Sequence, residues 1–393
     1  MGRYSRIAGW GMAVPRRVLT SRELASMLHT TEEWILTRTG IRERRIAGPG
    51  ETTSDLAVAA AREAMARAGV LPQDLDLIIV ATSTPDYVIP PVSSMVQEKL
   101  RARCGAFTLG AGCTGFMYGM AVAHAFIAAG LMQNVLVIGA EIISRNIDWT
   151  DRNTAVLFGD GAGAMVLQAS DLPTGLLSFV LGSDGSGAEH LIVPGISTNH
   201  VITEETIRQK GHLLRMNGRE VFKFATRVLG KVAIEAIARS GLAPDEIDLM
   251  IPHQANERII EAACRELGFP MEKVFMNLDR YGNTSAASIP IAFAEAMEQG
   301  RIREGDHLLL IGFGAGLTWA GAVVRYGVRP EDRPIAVENW PVRLPVSLPD
   351  LNRLEPVRQA KVMALRARRQ LLQTAMSLLL PFYTRSRRRK ASR

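Results

Sequence analysis

Cysteine is scarce in this chain. Cys104, Cys113 and Cys264 are the three thiols among 393 residues, and no two form a C-x-x-C pair. That excludes a disulfide framework and fits a reducing, cytoplasmic setting. The opening stretch "MGRYSRIAGWGMAVPRR" lacks an apolar core, so it does not read as a secretory signal. Gly2 is followed by Arg6 where myristoylation would need Ser or Thr. No run reaches the ~18 uninterrupted apolar residues of a membrane span. Acidic residues almost vanish beyond residue 352: Glu355 stands against twelve Lys or Arg, a net +11. Because the whole chain carries +7, residues 1–352 are left with −4. The body is mildly acidic and the tail strongly basic, so the two need separate explanations.

What is present is ordinary globular material, 47% hydrophobic and 22% charged, long enough for two domain-sized cores. Apolar runs alternate with alanine-rich helical stretches. "TSDLAVAAAREAMARAG" (53–69) opens on capping residues, ends at glycine and leads to the strand-like "LDLIIVAT" (75–82). "FMYGMAVAHAFIAAG" (116–130) leads to "NVLVIGAE" (134–141) in the same way. Continuous apolar strands between helices predict sheets covered on both faces, an α/β layered fold.

The chain also resembles itself. "AGVLPQDLDLIIV" (68–80) matches "SGLAPDEIDLMIP" (240–252), "VLVIGAE" (135–141) matches "LLLIGFG" (308–314), and "GAGAMVLQ" (161–168) matches "WAGAVVRY" (319–326). Order and approximate spacing are kept, which predicts two duplicated halves, residues 1–173 and 174–327. The repeat puts Cys113, in "GAGCTGF", and Asn283, in "RYGNTSAAS", at related loops. A buried cysteine is usually a small hydrophobe. At the start of a helix, however, free backbone N–H groups and the dipole would favour its thiolate, predicting a lowered pKa for Cys113.

His253, in "IPHQANERII" (251–260), follows directly on a strand-like run, and ligands of α/β sheets gather outside the carboxyl ends of strands. No second His or Cys stands at ligand spacing from it, so no metal is expected.

The motifs "GAGCTGF", "HQAN" and "GNTSAAS", in this order, resemble the Cys-His-Asn set of the ketoacyl-acyl carrier protein synthase III family. The similarity extends to "TEEWILTRTGIRERR" (31–45), "DRNTAVLFGDGAGA" (151–164), "MNGREVFKFA" (216–225) and "GFGAGLTWAGAVVRY" (312–326), covering about residues 3–327. It implies a thiolase fold, a duplicated five-layered αβαβα core, and a homodimer. It also implies a reaction. Cys113 takes the acyl group of an acyl-coenzyme A, and malonyl-acyl carrier protein (or malonyl-coenzyme A) then loses carbon dioxide. His253 and Asn283 stabilise the resulting enolate, which attacks the acyl-cysteine to give a 3-ketoacyl thioester. No cofactor is implied beyond the acyl-coenzyme A substrate.

Further residues are carried over by the resemblance. The backbone N–H groups of Cys113, Ala315 and Gly316 would form the oxyanion hole of the acyl step. Trp34, Arg38 and Arg152 would grip coenzyme A, Lys223 and Arg258 would meet the acidic carrier protein, and "TPDYVIPPVSS" (84–94), with Ile89 near its tip, would close the acyl tunnel across the dimer.

Departures from neighbouring chemistries matter as well. A non-decarboxylating thiolase would need a second cysteine where this chain reads "GFGAGLTW". A head-to-head condensing enzyme would need a partner glutamate near Tyr87, beside Asp86, where none stands. A related acyltransferase or that head-to-head condensing enzyme of specialised metabolism, and an inactive membrane-associated scaffold, are the alternatives.

The tail falls outside the resemblance. Residues 328–356 are proline-rich and read as a linker; residues 357–393 are basic and in part helical by pattern. They suit a mobile tail or packing strap, an anionic membrane surface, or a docked partner. No aromatic ladder or folded module supports nucleic-acid binding.

Overall fold

The computed structural model describes residues 4–328, apart from residue 196 and residues 199–201. The linker and basic tail, and with them the membrane-surface reading, lie outside the described residues (Val328 excepted).

The strands that frame the site are β1 (Tyr4–Ala13), β2 (Leu77–Ala81), β3 (Gly105–Leu109), β4 (Asn134–Glu141), β5 (Gly161–Ser170), β6 (Gly175–Ser183), β7 (Leu249–Pro252), β8 (His307–Gly314) and β9 (Thr318–Arg325). The helices around them are α1 (Glu32–Thr39), α2 (Thr53–Ala68), α3 (Val92–Leu100), α4 (Gly115–Ala128), α5 (Gly218–Ser240), α6 (Glu257–Leu267) and α7 (Ser288–Glu298). Hydrogen bonding orders the strands β7-β8-β9-β6-β1-β5-β4-β2-β3. Where β6 meets β1, the register is the single parallel pair Ser5–Gly175, and the ribbon divides there into two sheets.

The two sheets repeat one plan. In the first, β3, β2 and β4 are parallel, while β5 and β1 run antiparallel to their neighbours. In the second, β7 and β8 are parallel, β9 is antiparallel to both β8 and β6, and a parallel bridge from Val274 to Met250 occupies the place of β3.

Strand periodicity then makes five layers, because successive side chains point to opposite faces. Ile79 and Val137 of the first sheet and Leu308 and Leu310 of the second face a shared core with Phe116 and Met120 of α4 and Phe293 of α7. Ile78, Val80, Leu136 and Ile138 face outward onto α2 and α3. Leu309, Ile311 and Val323 face outward onto α5 and α6. Both sheets are thus covered on both faces, as the unbroken apolar runs require.

Local signals set the element ends. Thr52 and Asp55 form a capping box at the start of α2, and Gly69 closes it at φ 65°. Strand β4 occupies the predicted stretch residue for residue.

The repeat needs one correction at the catalytic loops. Helix α4 follows a 3-10 turn at Gly112–Thr114, and α7 follows one at Ser285–Ala287. In that register Cys113 corresponds to Ala286, and Asn283 stands three residues before its counterpart. The two turns pack tightly at the centre. A Cβ on Gly139 would come 2.2 Å from the Ala286 carbonyl oxygen; one on Gly112, at φ 53°, would come 2.8 Å from that of Ala315.

Candidate active site

A cavity of about 900 Å³ opens between the loops that carry Cys113, His253 and Asn283. Cys113, His253 and Asn283 line its floor, and Trp34, Arg38, Arg152, Lys223 and Arg258 line its wall and mouth. Residues far apart in sequence are therefore gathered into one site.

Cys113 is buried in its turn. The backbone N–H groups of Ala315 and of Cys113 itself are directed at the sulfur, and Ser285 Oγ lies 3.4 Å from it. Burial nevertheless pushes the thiol up to about 11, and the Glu141 carboxylate adds to the rise, against the hydrogen bonds that oppose it. The lowered thiol pKa expected from a helix start is thus overturned: removal from water costs the thiolate more than these donors return. Gly316 lies in the same turn as Ala315 and faces Thr318.

His253 follows β7, and its N–H is held by the Ile311 carbonyl at 2.7 Å. Its Nδ1 lies 2.6 Å from Ser288 Oγ, and its ring meets Phe313 edge-on. The Gln254 N–H donates to that same Ser288 oxygen at 3.5 Å. Among the described residues Nδ1 is the one acceptor within reach of the Ser288 hydroxyl, so the hydroxyl proton is assigned to Nδ1 and the ring proton to Nε2 on the cavity side. Burial lowers the His253 pKa to about 3, so the ring is neutral at physiological pH.

Asn283 is clamped by its backbone. Its N–H donates to the Leu157 carbonyl at 2.8 Å, and its carbonyl accepts from the Gly159 N–H at 3.0 Å. Arg44, fully buried, donates to the neighbouring Val156 carbonyl as well as to the Leu19 carbonyl and Ser21 Oγ. Asn283 Oδ1 accepts from the Ser285 N–H at 2.8 Å, which leaves the amide Nδ2–H₂ as the group to offer the cavity. His253 and Asn283 thus both present neutral N–H donors, the means of holding an oxyanion without an extra charge.

At the mouth, Trp34 stands on α1, whose start is capped by Thr31. The Arg38 and Arg152 guanidinium groups lie 4.8 and 5.3 Å from its ring centre. Asn256 Nδ2 donates to the Arg38 carbonyl, tying α1 to the segment that carries His253. Lys223 and Arg258 are both exposed, Lys223 pairing with Glu220 at 2.8 Å.

Ile89 is the exception. It is 85% exposed and does not line the cavity, so within one chain it is no part of an acyl pocket. Asp86 has a structural partner instead of a catalytic one: it caps α2 through the Ser54 N–H and hydroxyl. Cys264 is packed in α6.

Sequence reasoning missed Arg215 and Arg219 at the wall, and Glu141, Ser285 and Ser288 behind the floor. Glu141 left one signal, a lone charge closing the otherwise apolar run of β4. No group of three or more His, Cys, Asp or Glu suited to a metal occurs among the described residues.

Comparison with known proteins decides the family. Residues 107–185 match the model of 3-oxoacyl-[acyl-carrier-protein (ACP)] synthase III, and residues 237–326 match that of its C-terminal part. The beta-ketoacyl-[acyl-carrier-protein] synthase III of Roseiflexus sp. (strain RS-1) is 53% identical over 327 residues, spanning 83% of this chain and 99% of that one. The chain belongs to the synthase III family. Two solved structures agree with that membership. The synthase III from Thermus thermophilus is 49% identical with a TM-score of 0.77, covering 82% of this chain and 99% of its own. That from Aquifex aeolicus is 44% identical with a TM-score of 0.76, covering 82% and 100%. The fold is therefore the thiolase fold of synthase III enzymes, and the chain is a condensing acyltransferase of fatty-acid biosynthesis.

Proposed function

We propose that the condensation runs through an acyl group carried on Cys113, with acyl-coenzyme A as donor and a malonyl thioester of the acyl carrier protein as extender. The observation that carries this reading is the convergence of one nucleophile and two neutral N–H donors, His253 and Asn283, on a single cavity. The sulfur attacks the thioester carbonyl, whose developing oxyanion is held by the N–H groups of the 113 turn and of Ala315–Gly316. Coenzyme A leaves and the malonyl thioester enters. His253 Nε2–H and Asn283 Nδ2–H receive its thioester oxygen, carbon dioxide departs, and the enolate carbon attacks the acyl-Cys113 carbonyl.

Neutrality of His253 supports this role, because a ring that holds its proton at Nε2 donates and does not abstract. The other two thiols also support it: neither Cys104 nor Cys264 lines the cavity, so no second sulfur is placed to remove a substrate proton. Decarboxylation generates the carbanion without such a base. No metal or cofactor has a part in this scheme.

Trp34, Arg38 and Arg152 would take the adenine and phosphate end of coenzyme A, and Lys223 and Arg258 the acidic carrier protein. We further propose that residues 1–173 and 174–327 are the two duplicated halves and that the enzyme works in the cytoplasm as a homodimer. The apolar loop carrying Tyr87, Val88 and Ile89, exposed in a single chain, would be covered in that dimer.

The test is to mix the protein with an acyl-coenzyme A and malonyl-acyl carrier protein and follow both products. Stoichiometric carbon dioxide and 3-ketoacyl thioester are expected. Transfer of the acyl group without carbon dioxide release would contradict the reading.

A further inference from the structure

Behind Cys113 lies a buried acid that the scheme above does not use. Glu141, at the end of β4, is wholly inaccessible to solvent. Its carboxylate accepts from Thr82 Oγ1, the Ser83 N–H and Thr84 Oγ1, all in the loop that follows β2. The remaining donor is Ser285, whose Oγ lies 3.0 Å from Glu141 Oε1 and 3.4 Å from Cys113 Sγ. A serine hydroxyl owns one proton and cannot donate to both neighbours. Two arrangements satisfy all three groups. In one, the thiol donates to Ser285 and Ser285 donates to the carboxylate. In the other, a carboxylic acid donates to Ser285 and Ser285 donates to a thiolate. They differ only by a proton moved along the row.

Ser285 is held in this position at a conformational cost. It adopts φ 51°, a region that non-glycine residues rarely occupy, with its N–H bonded to Asn283 Oδ1. The surroundings isolate the row. Strand β5, paired to Glu141 through Gly161, and the 285–287 turn bring no charged side chain to it. Asp160, next to Gly161, is engaged by Ser144 and the Ala47 N–H. His253, which shares the cavity with Cys113, is uncharged.

We propose that Ser285 and Glu141 form a proton relay that takes the Cys113 thiol proton, stores it, and returns it. The Sγ–H bond breaks as a proton joins Ser285 Oγ, and the hydroxyl's own proton passes to Glu141 Oε1. The negative charge moves from carboxylate to sulfur, and the total is unchanged. The sulfur electron pair then attacks the thioester carbonyl and coenzyme A leaves as its thiolate. When the enolate displaces Cys113 from the acyl group, the departing sulfur takes the stored proton back through Ser285. Ser285 touches the reacting sulfur; Glu141 acts through it as a positioning and proton-holding residue. Burial raises the Glu141 pKa, which is the direction a proton store needs.

The inference rests on Cys113 being the acyl carrier, and its test is separable from that. The rate of Cys113 alkylation by iodoacetamide is measured against pH, with the modified residue confirmed by peptide mass. A thiol and carboxylate sharing one proton hold a constant thiolate fraction while that proton stays bound, so the wild-type rate is expected to change less than about threefold between about pH 6 and 8. Glu141→Gln leaves a lone thiol, whose rate should rise roughly tenfold per pH unit over the same range. Ser285→Ala should behave like Glu141→Gln, and it provides the answer if the glutamine variant does not fold. A residue that merely packs would alter melting temperature without altering the slope. A wild-type slope of tenfold per unit, or a plateau retained in a folded variant, overturns the relay. Acylation of the same wild-type sample by acyl-coenzyme A reports separately on the acyl-carrier reading.

Discussion

Ser288 Oγ lies 2.6 Å from His253 Nδ1 and receives the Gln254 N–H from the other side; Nδ1 is the one acceptor in its reach among the described residues, which assigns the His253 ring proton to Nε2. That relationship converts a buried, neutral histidine into an oriented donor. Ser288→Ala should leave acylation of Cys113 intact and slow the condensation about tenfold to a hundredfold. Stopped-flow release of coenzyme A against steady-state product formation checks the split. Equal loss in both steps would show that Ser288 acts on the fold as a whole.

Removing the donors themselves should cost more. His253→Ala and Asn283→Ala are each expected to lower malonyl decarboxylation by roughly a hundred- to a thousandfold. Acyl transfer from coenzyme A to Cys113 should persist in both, because its oxyanion would be held by backbone N–H groups and not by these side chains. Carbon dioxide release and acyl-enzyme mass, measured on the same samples, check this.

The histidine also predicts a pH dependence. Its folded pKa is about 3, below the ordinary value of about 6.5 that it regains on unfolding. The unfolded chain therefore binds a proton between these values that the folded chain does not, and stability falls as pH drops through the interval. The pH slope of unfolding free energy between about pH 4 and 6 should be shallower by about one proton in His253→Gln than in the wild type. The condensation rate, by the same token, should show no inflection near pH 6.5 from this ring. Denaturant titrations across pH check the first part and a pH–rate profile the second.

Gly112 offers a test of the sulfur's surroundings. It stands at φ 53°, and a Cβ there would crowd the Ala315 carbonyl and amide at 2.8 and 2.9 Å. Gly112→Ala should therefore displace the Ala315 N–H from Cys113 and cost about 1–3 kcal/mol of stability. Thermal unfolding and the rate of Cys113 acylation should fall together.

The layers were legible because strand and helix leave different periodic marks. The apolar run of β4 was readable to its last residue, and the internal repeat announced two sheets of one plan. Cys113, His253 and Asn283 were legible because each sits at a break in such a pattern, after a glycine or after a strand. What could not be read were contacts across layers. Glu141 and Ser285 are 144 positions apart and Ser288 lies 35 from His253, so nothing in the spacing joins them. The raised thiol pKa belongs to the same class, since burial depends on everything packed around the turn and not on the turn itself. Ile89 shows the reverse case. Its apolar character was read correctly, but one chain alone supplies nothing to cover it.

The central claim, that Cys113 carries the acyl group, is tested most directly by intact mass and peptide mapping after exposure to a panel of acyl-coenzyme A thioesters. The account predicts a single acyl adduct, located at Cys113 and lost in Cys113→Ser. An adduct at Cys104 or Cys264, or one that survives the Cys113→Ser substitution, would contradict it.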